Sequence, residues 1–172
     1  LGRGTRRFGK KQYTMPHASI RSVFNREELK GILIDGDECV IGGGCVANDL
    51  LASKELRSHF PNIEKYLLLV SSTPIRNMGT LGGNICTASP AGDTLPPLYV
   101  LDAEVIVASP SSERALPIAE FITGPGSTGL KKTEILTAVR LKKPEGFTVQ
   151  HFEKVGQRKA LACAVASLAA LV

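Results

Sequence analysis

Short apolar runs, separated by glycine, proline and polar clusters, divide this chain into brief elements instead of long helices. Two such runs flank Asp35-Gly36-Asp37 between Ile32 and Ile41, which predicts a β-hairpin. The run from Ala103 to Ala108 is rich in β-branched residues and predicts a strand. A return strand from Arg114 to Ile118 follows it across a serine and proline turn, so the second half of the chain is expected to be mainly β.

Further along, Glu134 to Leu141 and Phe147 to Val155 alternate between apolar and polar positions. This alternation predicts two strands paired with each other across the connection from Lys142 to Gly146. Ile118-Ala119-Glu120-Phe121 is predicted to start a short loop, and Gly124 to Gly129 to form a plain surface connector. The last segment, Ala160 to Val172, is ambiguous, because its alanines favour a helix.

Helical patterns lie mainly in the first half. Asn48 or Ala47 is predicted to open one helix that runs through Leu56, and a second helix after Pro61 is expected to stop at Ser71-Ser72-Thr73-Pro74. A short buried helix is predicted from Leu95 to Leu101, where prolines fit the first turn. Sequential strands with few crossover helices indicate an antiparallel sheet with helices packed on one side, which is an α+β fold.

Charge changes this picture only at the start of the chain. The sequence has 21 Lys and Arg against 16 Asp and Glu, and five of the basic residues lie before position 15, so the remainder is balanced at 16 to 16. A nucleic-acid partner would need a basic face on the folded part, so none is expected. Residues 1–14 are predicted to be a basic, disordered head or a vector-derived segment.

The cysteines and histidines give little sign of a metal site. Cys39, Cys45, Cys86 and Cys163 show no C-x-x-C spacing, and we interpret them as buried free thiols of a cytoplasmic protein. No residue is predicted to be a nucleophile or a metal ligand. The longest apolar run has thirteen residues, Ala160 to Val172, which is short of the ~20 that a membrane-spanning helix needs.

The chemistry is concentrated in Thr80-Leu81-Gly82-Gly83-Asn84 and its continuation to Asp93. Adjacent glycines allow a positive φ and a close approach of backbone to a ligand, and the stretch has little apolar area of its own. It is therefore either an ordinary glycine turn or a ligand cradle. Gly42-Gly43-Gly44 is likewise either a flexible strand-to-helix connection or a second point of contact with a cofactor.

The stretch from Arg76 to Asn84, followed by Ala88-Ser89-Pro90-Ala91-Gly92-Asp93, resembles the flavin-binding signature I-R-N-x-G-T-I/L-G-G-N…S-P-x-x-D. That signature is typical of the FAD-binding (medium) subunits of molybdenum hydroxylases, such as aerobic carbon monoxide dehydrogenase and the FAD domain of xanthine dehydrogenase. The resemblance implies the second lobe of that FAD domain, an antiparallel sheet flanked by helices, in which Ala160 to Val172 is a strand of the same sheet.

The resemblance also implies a function. FAD would receive electrons from an iron–sulfur subunit, reduced in turn by a molybdopterin subunit, and pass them to NAD or another acceptor. The alternative is a scaffold or interaction module that kept half of the FAD fold without the flavin. A different oxidoreductase with a related FAD domain is a third interpretation.

The site residues carried over from the family are cofactor-binding ones: Thr80, Leu81, Gly82, Gly83, Asn84, Asp93, Leu136 and Lys154. Thr80 to Asn84 would supply backbone amides and short polar groups, and Asp93 would accept hydrogen bonds from the cofactor's hydroxyls. Leu136 would pack on the adenine or the ring, and Lys154 would place a positive charge near the flavin. From the residues alone, Asp93 could instead cap the helix near Leu95, and Lys154 could be a solvated charge on an edge strand. Val70 or Ser71 stands where some members place an aromatic residue.

The resemblance extends roughly from Leu29 to Val172. Its pyrophosphate loop, A-G-G-T-D-L, has no counterpart before Leu29. We therefore expect residues 15–30 to be a linker or a remnant of the first lobe, residues 31–172 to be the second lobe, and the C-terminal domain to be missing. The face that meets the first lobe would then be open, and self-association through it is expected.

Overall fold

The computed structural model describes residues 23, 26–60, 63–146, 150–158 and 162–172. The predicted head, residues 1–14, lies outside this range. The strands are β1 (Ile32–Asp35), β2 (Glu38–Gly42), β3 (Glu104–Ala108), β4 (Glu113–Pro117), β5 (Ile122–Gly124), β6 (Ser127–Thr128), β7 (Ile135–Lys142), β8 (Gln150–Gly156) and β9 (Ala164–Leu171). The helices are α1 (Ala47–Ala52), α2 (Lys54–His59), α3 (Ile63–Leu68), α4 (Thr73–Arg76), α5 (Leu81–Thr87), α6 (Leu95–Val100) and α7 (Ile118–Phe121), preceded by a 3₁₀ helix, Glu27–Leu29.

A five-stranded antiparallel sheet in the order β1-β2-β7-β3-β4 forms the centre of the fold. Its strands alternate, so that Ile41, Val105 and Val139 are at most 1 % exposed on one face. These side chains share one apolar core with Leu50, Leu67, Leu81 and Leu98 of the helices. The predicted α+β class, an antiparallel sheet flanked by helices, is confirmed.

The polypeptide between Ala47 and His59 is two helices, where one was predicted. Ser53 ends α1 and caps α2, because its hydroxyl accepts the N–H of Leu56 at 3.1 Å. A serine at this position satisfies one of the free N–H groups of a helix start and stabilises it by about 1 kcal/mol. The interruption lets both Leu50 and Leu56 reach the core, with 2 % and 0 % exposure.

The predicted pairing of Glu134–Leu141 with Phe147–Val155 is wrong. Strand β7 lies between β2 and β3 and uses both of its edges there. Strand β8 pairs instead with β9 in a separate two-stranded sheet. Phe152 of β8 is fully buried and meets the ring of Tyr66 edge-on, with centroids 5.2 Å apart. The C-terminal segment is thus a strand, as the resemblance implied, but it does not belong to the central sheet.

Three shorter predictions also need correction. Ile118–Phe121 is helix α7 and not a loop, because Ile118 and Phe121 turn the same face into the core. The connector Gly124–Gly129 contains the tight turn between β5 and β6. The predicted helix stop at Ser71-Ser72-Thr73-Pro74 is also the start of α4, where Pro74 fits the first turn.

Candidate functional site

The segment Thr80 to Asn84 forms the start of helix α5, so it is not a glycine turn. Thr80 is the N-cap, and its hydroxyl accepts the N–H of Gly83 at 3.1 Å. Leu81, Gly82 and Gly83 are buried. The expectation that these glycines provide a positive φ is wrong, because they lie within the α5 helix.

The glycines allow backbones to approach closely. A Cβ on Gly82 would lie 2.8 Å from the carbonyl oxygen of Gly43, and one on Gly43 would lie 2.8 Å from that of Leu136. The N–H of Gly82 donates to the Gly43 carbonyl at 2.9 Å, which joins α5 to the end of β2. Leu136, 8 % exposed, packs at this crossing. Gly42-Gly43-Gly44 is therefore a packed connection between β2 and α1 and not a flexible one.

The backbone amides at the start of α5 already have partners within the chain. The N–H of Leu81 donates to Cys45 O at 2.8 Å, and that of Asn84 to Thr80 O at 2.9 Å. With the bonds of Gly82 and Gly83, none of these amides is left for a cofactor in this arrangement. The short polar side chains are therefore the first candidates for contact with a cofactor, and the amide contacts that the resemblance implies stay a prediction.

A cleft of about 150 Å³ opens beside α5. Thr80, Asn84, Thr87 and Thr94 supply hydroxyl and amide groups to it, and Val70 and Ser71 also line it. The remaining lining residues are Ala47, Leu50, Leu67, Ile75, Arg76, Gly79 and Leu81. Apart from Arg76, the polar groups of the cleft are neutral and lie on an apolar background, which suits the hydroxyls and ring of an organic cofactor better than a bare ion.

Two of the predicted site residues, Asp93 and Lys154, bind each other. Lys154 Nζ donates to Asp93 Oδ2 at 2.7 Å and to the carbonyl of Leu69 at 3.3 Å. Their side chains are only 11 % and 9 % exposed, so Lys154 is not a solvated charge. Asp93 does not cap the next helix. The N-cap of α6 is the following residue, Thr94, and this N-cap makes no side-chain cap bond.

Asp93 Oδ1 is buried and has no hydrogen-bond partner among the described residues. A buried carboxylate oxygen is usually satisfied, so this one is an acceptor that a ligand hydroxyl or N–H can complete. The residues present therefore fit FAD at this acceptor and along the hydroxyl-lined cleft.

Arg76 also belongs to the site, and the list of predicted residues missed it. Its guanidinium donates to the carbonyls of Ser71 at 2.9 Å and Val70 at 3.2 Å, and to Thr73 Oγ1 at 3.0 Å. The signal was present in the sequence, since Arg76 is the arginine of the I-R-N motif.

Two of the cysteines, Cys39 and Cys86, are held as neutral thiols. Burial raises the pKa of Cys86, on α5, and of Cys39, on β2, to about 11. Cys39 and Cys45 are buried, whereas Cys86 is partly exposed and Cys163 exposed, so the prediction of four buried thiols is wrong for the last. Within the described ranges, no group of three or more His, Cys, Asp and Glu residues could hold a metal ion.

The sequence model of the FAD-binding domain in molybdopterin dehydrogenases matches residues 10–144, which include β1, β2, α5 and β7. The chain belongs to this family. The match starts before Leu29, where the resemblance was predicted to begin, and it ends before β8.

Several relatives of the FAD-domain chain carry names consistent with that family. The nicotinate dehydrogenase FAD-subunit of Eubacterium barkeri is 32 % identical over 81 % of this chain and 48 % of its own length. The carbon monoxide dehydrogenase medium chain of Hydrogenophaga pseudoflava is 29 % identical over 76 % of this chain and 46 % of its own length. The chain spans about half the length of these relatives.

Solved structures agree with the fold. A carbon monoxide dehydrogenase from Hydrogenophaga pseudoflava that lacks the Mo-pyranopterin moiety superposes with a TM-score of 0.81 at 28 % identity, over 86 % of this chain and 51 % of that one. The Cu,Mo-CO dehydrogenase in its cyanide-inactivated form gives a TM-score of 0.80 at 29 % identity, over 85 % and 51 %. None of the helices in the described part of this FAD-domain chain has the length and apolar character needed to cross a membrane.

Proposed function

We propose that this chain binds FAD in an electron-transfer subunit of a molybdenum hydroxylase. The observation that carries the proposal is the family match over residues 10–144, because it contains the whole of α5 and the cleft beside it. The buried, unpartnered Asp93 Oδ1 supports it. FAD supplies the redox chemistry when bound, and the protein supplies binding, orientation and electrostatics.

The chain's own residues would divide that work. Side chains of Thr80 and Asn84 present short polar groups to the cleft, while Leu81 and Gly82 hold α5 against the sheet. Asp93 accepts from a cofactor hydroxyl through Oδ1, and Leu136 supplies apolar packing. Lys154 provides positive charge beside Asp93, and that charge stabilises electron-rich states of a nearby cofactor.

The wider role is also a proposal. Electrons would enter from an iron–sulfur subunit that a molybdopterin subunit reduces, and leave to NAD or another acceptor in the cytoplasm. The family membership supports this direction of transfer, since the relatives' names are those of dehydrogenase subunits. A flavin-free scaffold is the second candidate, and the internally paired amides of α5 favour it.

Titration of FAD into the purified gene product, followed by flavin absorbance and fluorescence, separates these two functions. Asp93→Ala should weaken FAD binding by about 1–3 kcal/mol, the usual loss for a hydrogen bond to a charged group. Glu113→Gln, an exposed carboxylate on β4, is the matched control and should bind like the parent. A parent that takes up no FAD would support the scaffold.

A further inference from the structure

Two cations hold the carbonyl oxygens of four successive residues, Leu68 to Ser71. Arg76 Nη1 donates to Leu68 O at 3.4 Å, to Val70 O at 3.2 Å and to Ser71 O at 2.9 Å. Lys154 Nζ donates to the remaining one, Leu69 O, at 3.3 Å. Leu68 is the last residue of α3 and Leu69 to Ser71 follow it, so helix geometry leaves these carbonyls without intrahelical partners.

The segment is held in a conformation that its residues disfavour. Ser71 has a φ of +52°, in the left-handed region that a non-glycine residue rarely occupies. Such a conformation persists only when surrounding contacts over-determine it. The shortest of the Arg76 carbonyl contacts is the one to Ser71, so the guanidinium bonds directly to the strained residue.

This segment forms one wall of the cleft. Val70 and Ser71 line it, together with Thr80 and Asn84. The two cations also connect this segment to the rest of the site. Arg76 Nε donates to Asn48 Oδ1 of α1 at 3.4 Å, and Lys154 Nζ donates to Asp93 at 2.7 Å. The Leu68–Ser71 wall is thereby connected both to helix α1 and to Asp93, the predicted hydrogen-bond acceptor for the cofactor.

We infer that Arg76, which itself lines the cleft, is a positioning residue of the FAD site: its bonds to the carbonyls of Val70 and Ser71 set the position of the Leu68–Ser71 wall. This inference rests on the proposed function. It predicts that loss of the guanidinium changes how the flavin is held, and not only how stable the chain is.

The experiment compares Arg76→Met and Arg76→Lys with the parent, in the intact gene product freed of flavin and titrated with FAD. We expect Kd to rise about tenfold, or about 1.4 kcal/mol, for Arg76→Met, which removes every donor. For Arg76→Lys we expect a rise of about threefold, since an ammonium keeps the charge and some donors but lacks the planar guanidinium fork that reaches several acceptors together. At saturating FAD, the visible circular dichroism of the bound flavin should differ between Arg76→Met and the parent. Arg57→Met, at a half-buried arginine of α2 that does not line the cleft, is the control.

Rescue distinguishes positioning from a general loss of stability. Adding Ser71→Gly to Arg76→Met should recover part of the FAD affinity, because glycine adopts the left-handed conformation without strain. Unchanged Kd and dichroism in both arginine variants would overturn the inference and leave the proposed function standing. A parent that binds no FAD would overturn both. If Arg76→Met does not fold, the Kd and dichroism of Arg76→Lys decide between these outcomes.

Discussion

At the scale of single residues, the candidate site contains one buried ion pair, Asp93 with Lys154. Each side chain is about nine-tenths covered, and each partner neutralises the other's charge at 2.7 Å. In such a pair the cost of removing one partner exceeds the net stabilisation by the pair, because the survivor stays buried without compensation.

The pair predicts strong coupling between substitutions. Asp93→Asn should lower the free energy of unfolding by about 3 kcal/mol, since it leaves the Lys154 ammonium without its counter-charge. Lys154→Met in the same protein should recover part of this loss, and denaturant unfolding of both single variants and the double variant measures the difference. Losses that simply add would show that the two groups do not interact in solution.

A second residue-scale feature is the carboxylate of Glu134. The Arg114 guanidinium, which donates to both of its oxygens at 2.9 Å, and the Lys131 N–H lower the pKa of Glu134 to about 2. A carboxyl with a lowered pKa stabilises the fold above its unfolded value of about 4.3, and the contribution is lost as the pH falls towards the folded value.

Thermal unfolding should therefore show an acid-dependent difference between the parent and Glu134→Gln. The parent should be more stable at neutral pH, and its advantage should shrink as the pH falls from about 5 towards 2. Glu64→Gln, an exposed carboxylate with a contact of 3.9 Å to Arg57, serves as the comparison and should follow the parent. A constant gap between Glu134→Gln and the parent at all pH values would contradict the assignment.

At the scale of elements, the contact of α5 with the end of β2 determines where the site lies. Gly82 and Gly43 approach so closely that only a hydrogen atom fits between the two backbones. In an ordinary helix, replacing a glycine with alanine stabilises by about 1 kcal/mol.

Gly82→Ala should do the opposite here. Its Cβ would meet backbone at 2.8 Å, and overpacking of this kind costs about 1–3 kcal/mol. Gly129→Ala is the matched control, because its Cβ would lie 3.8 Å from the nearest atom. Chemical denaturation compares the two variants, and a stabilised Gly82→Ala would mean that the crossing is looser than described.

The β8–β9 hairpin is a second element-scale unit. Within the described ranges its strands pair only with each other, and Phe152 attaches them to α3 through Tyr66. Phe152→Ala should destabilise by about 3–5 kcal/mol, the usual cost of truncating a buried aromatic.

Hydrogen exchange locates this loss. Amides of β8 and β9 should exchange faster in Phe152→Ala, while those of β2, β3 and β7 keep their protection. His151→Ala, on the exposed face of the same strand, should leave both groups unchanged. Equal acceleration throughout the molecule would show that the hairpin and the central sheet unfold together.

At the scale of the whole molecule, the face expected to be open is mostly covered by the chain itself. Gly43, Gly44, Thr80 and Gly83 are buried against neighbouring elements. Exposed apolar side chains lie instead at the rim of the cleft and nearby, at Leu68 (52 %), Ile75 (41 %) and Met78 (58 %). Clustered exposed apolar groups mark contact surfaces, so this rim is where we expect self-association.

Sedimentation equilibrium tests this expectation. The parent should associate at micromolar concentration, and Met78→Lys should shift the equilibrium towards the monomer, because burying an uncompensated ammonium is unfavourable. Leu33→Lys, equally exposed on β1, should associate like the parent. A monomeric parent would remove the rim as a self-association surface.

Local pattern and motif determined much of this protein by themselves: the β1–β2 hairpin, strands β3, β4 and β7, helix α6, the antiparallel α+β class, and the family through the residues from Arg76 to Asp93. The tertiary structure alone decided the rest. β7 is central, so its edges were already used and β8 had to pair with β9. The glycines of α5 and of the β2–α1 connection serve a crossing between segments distant in sequence, and Asp93 and Lys154 are 61 positions apart. Such relations depend on which surfaces the folded chain brings together, and no spacing along the sequence records them.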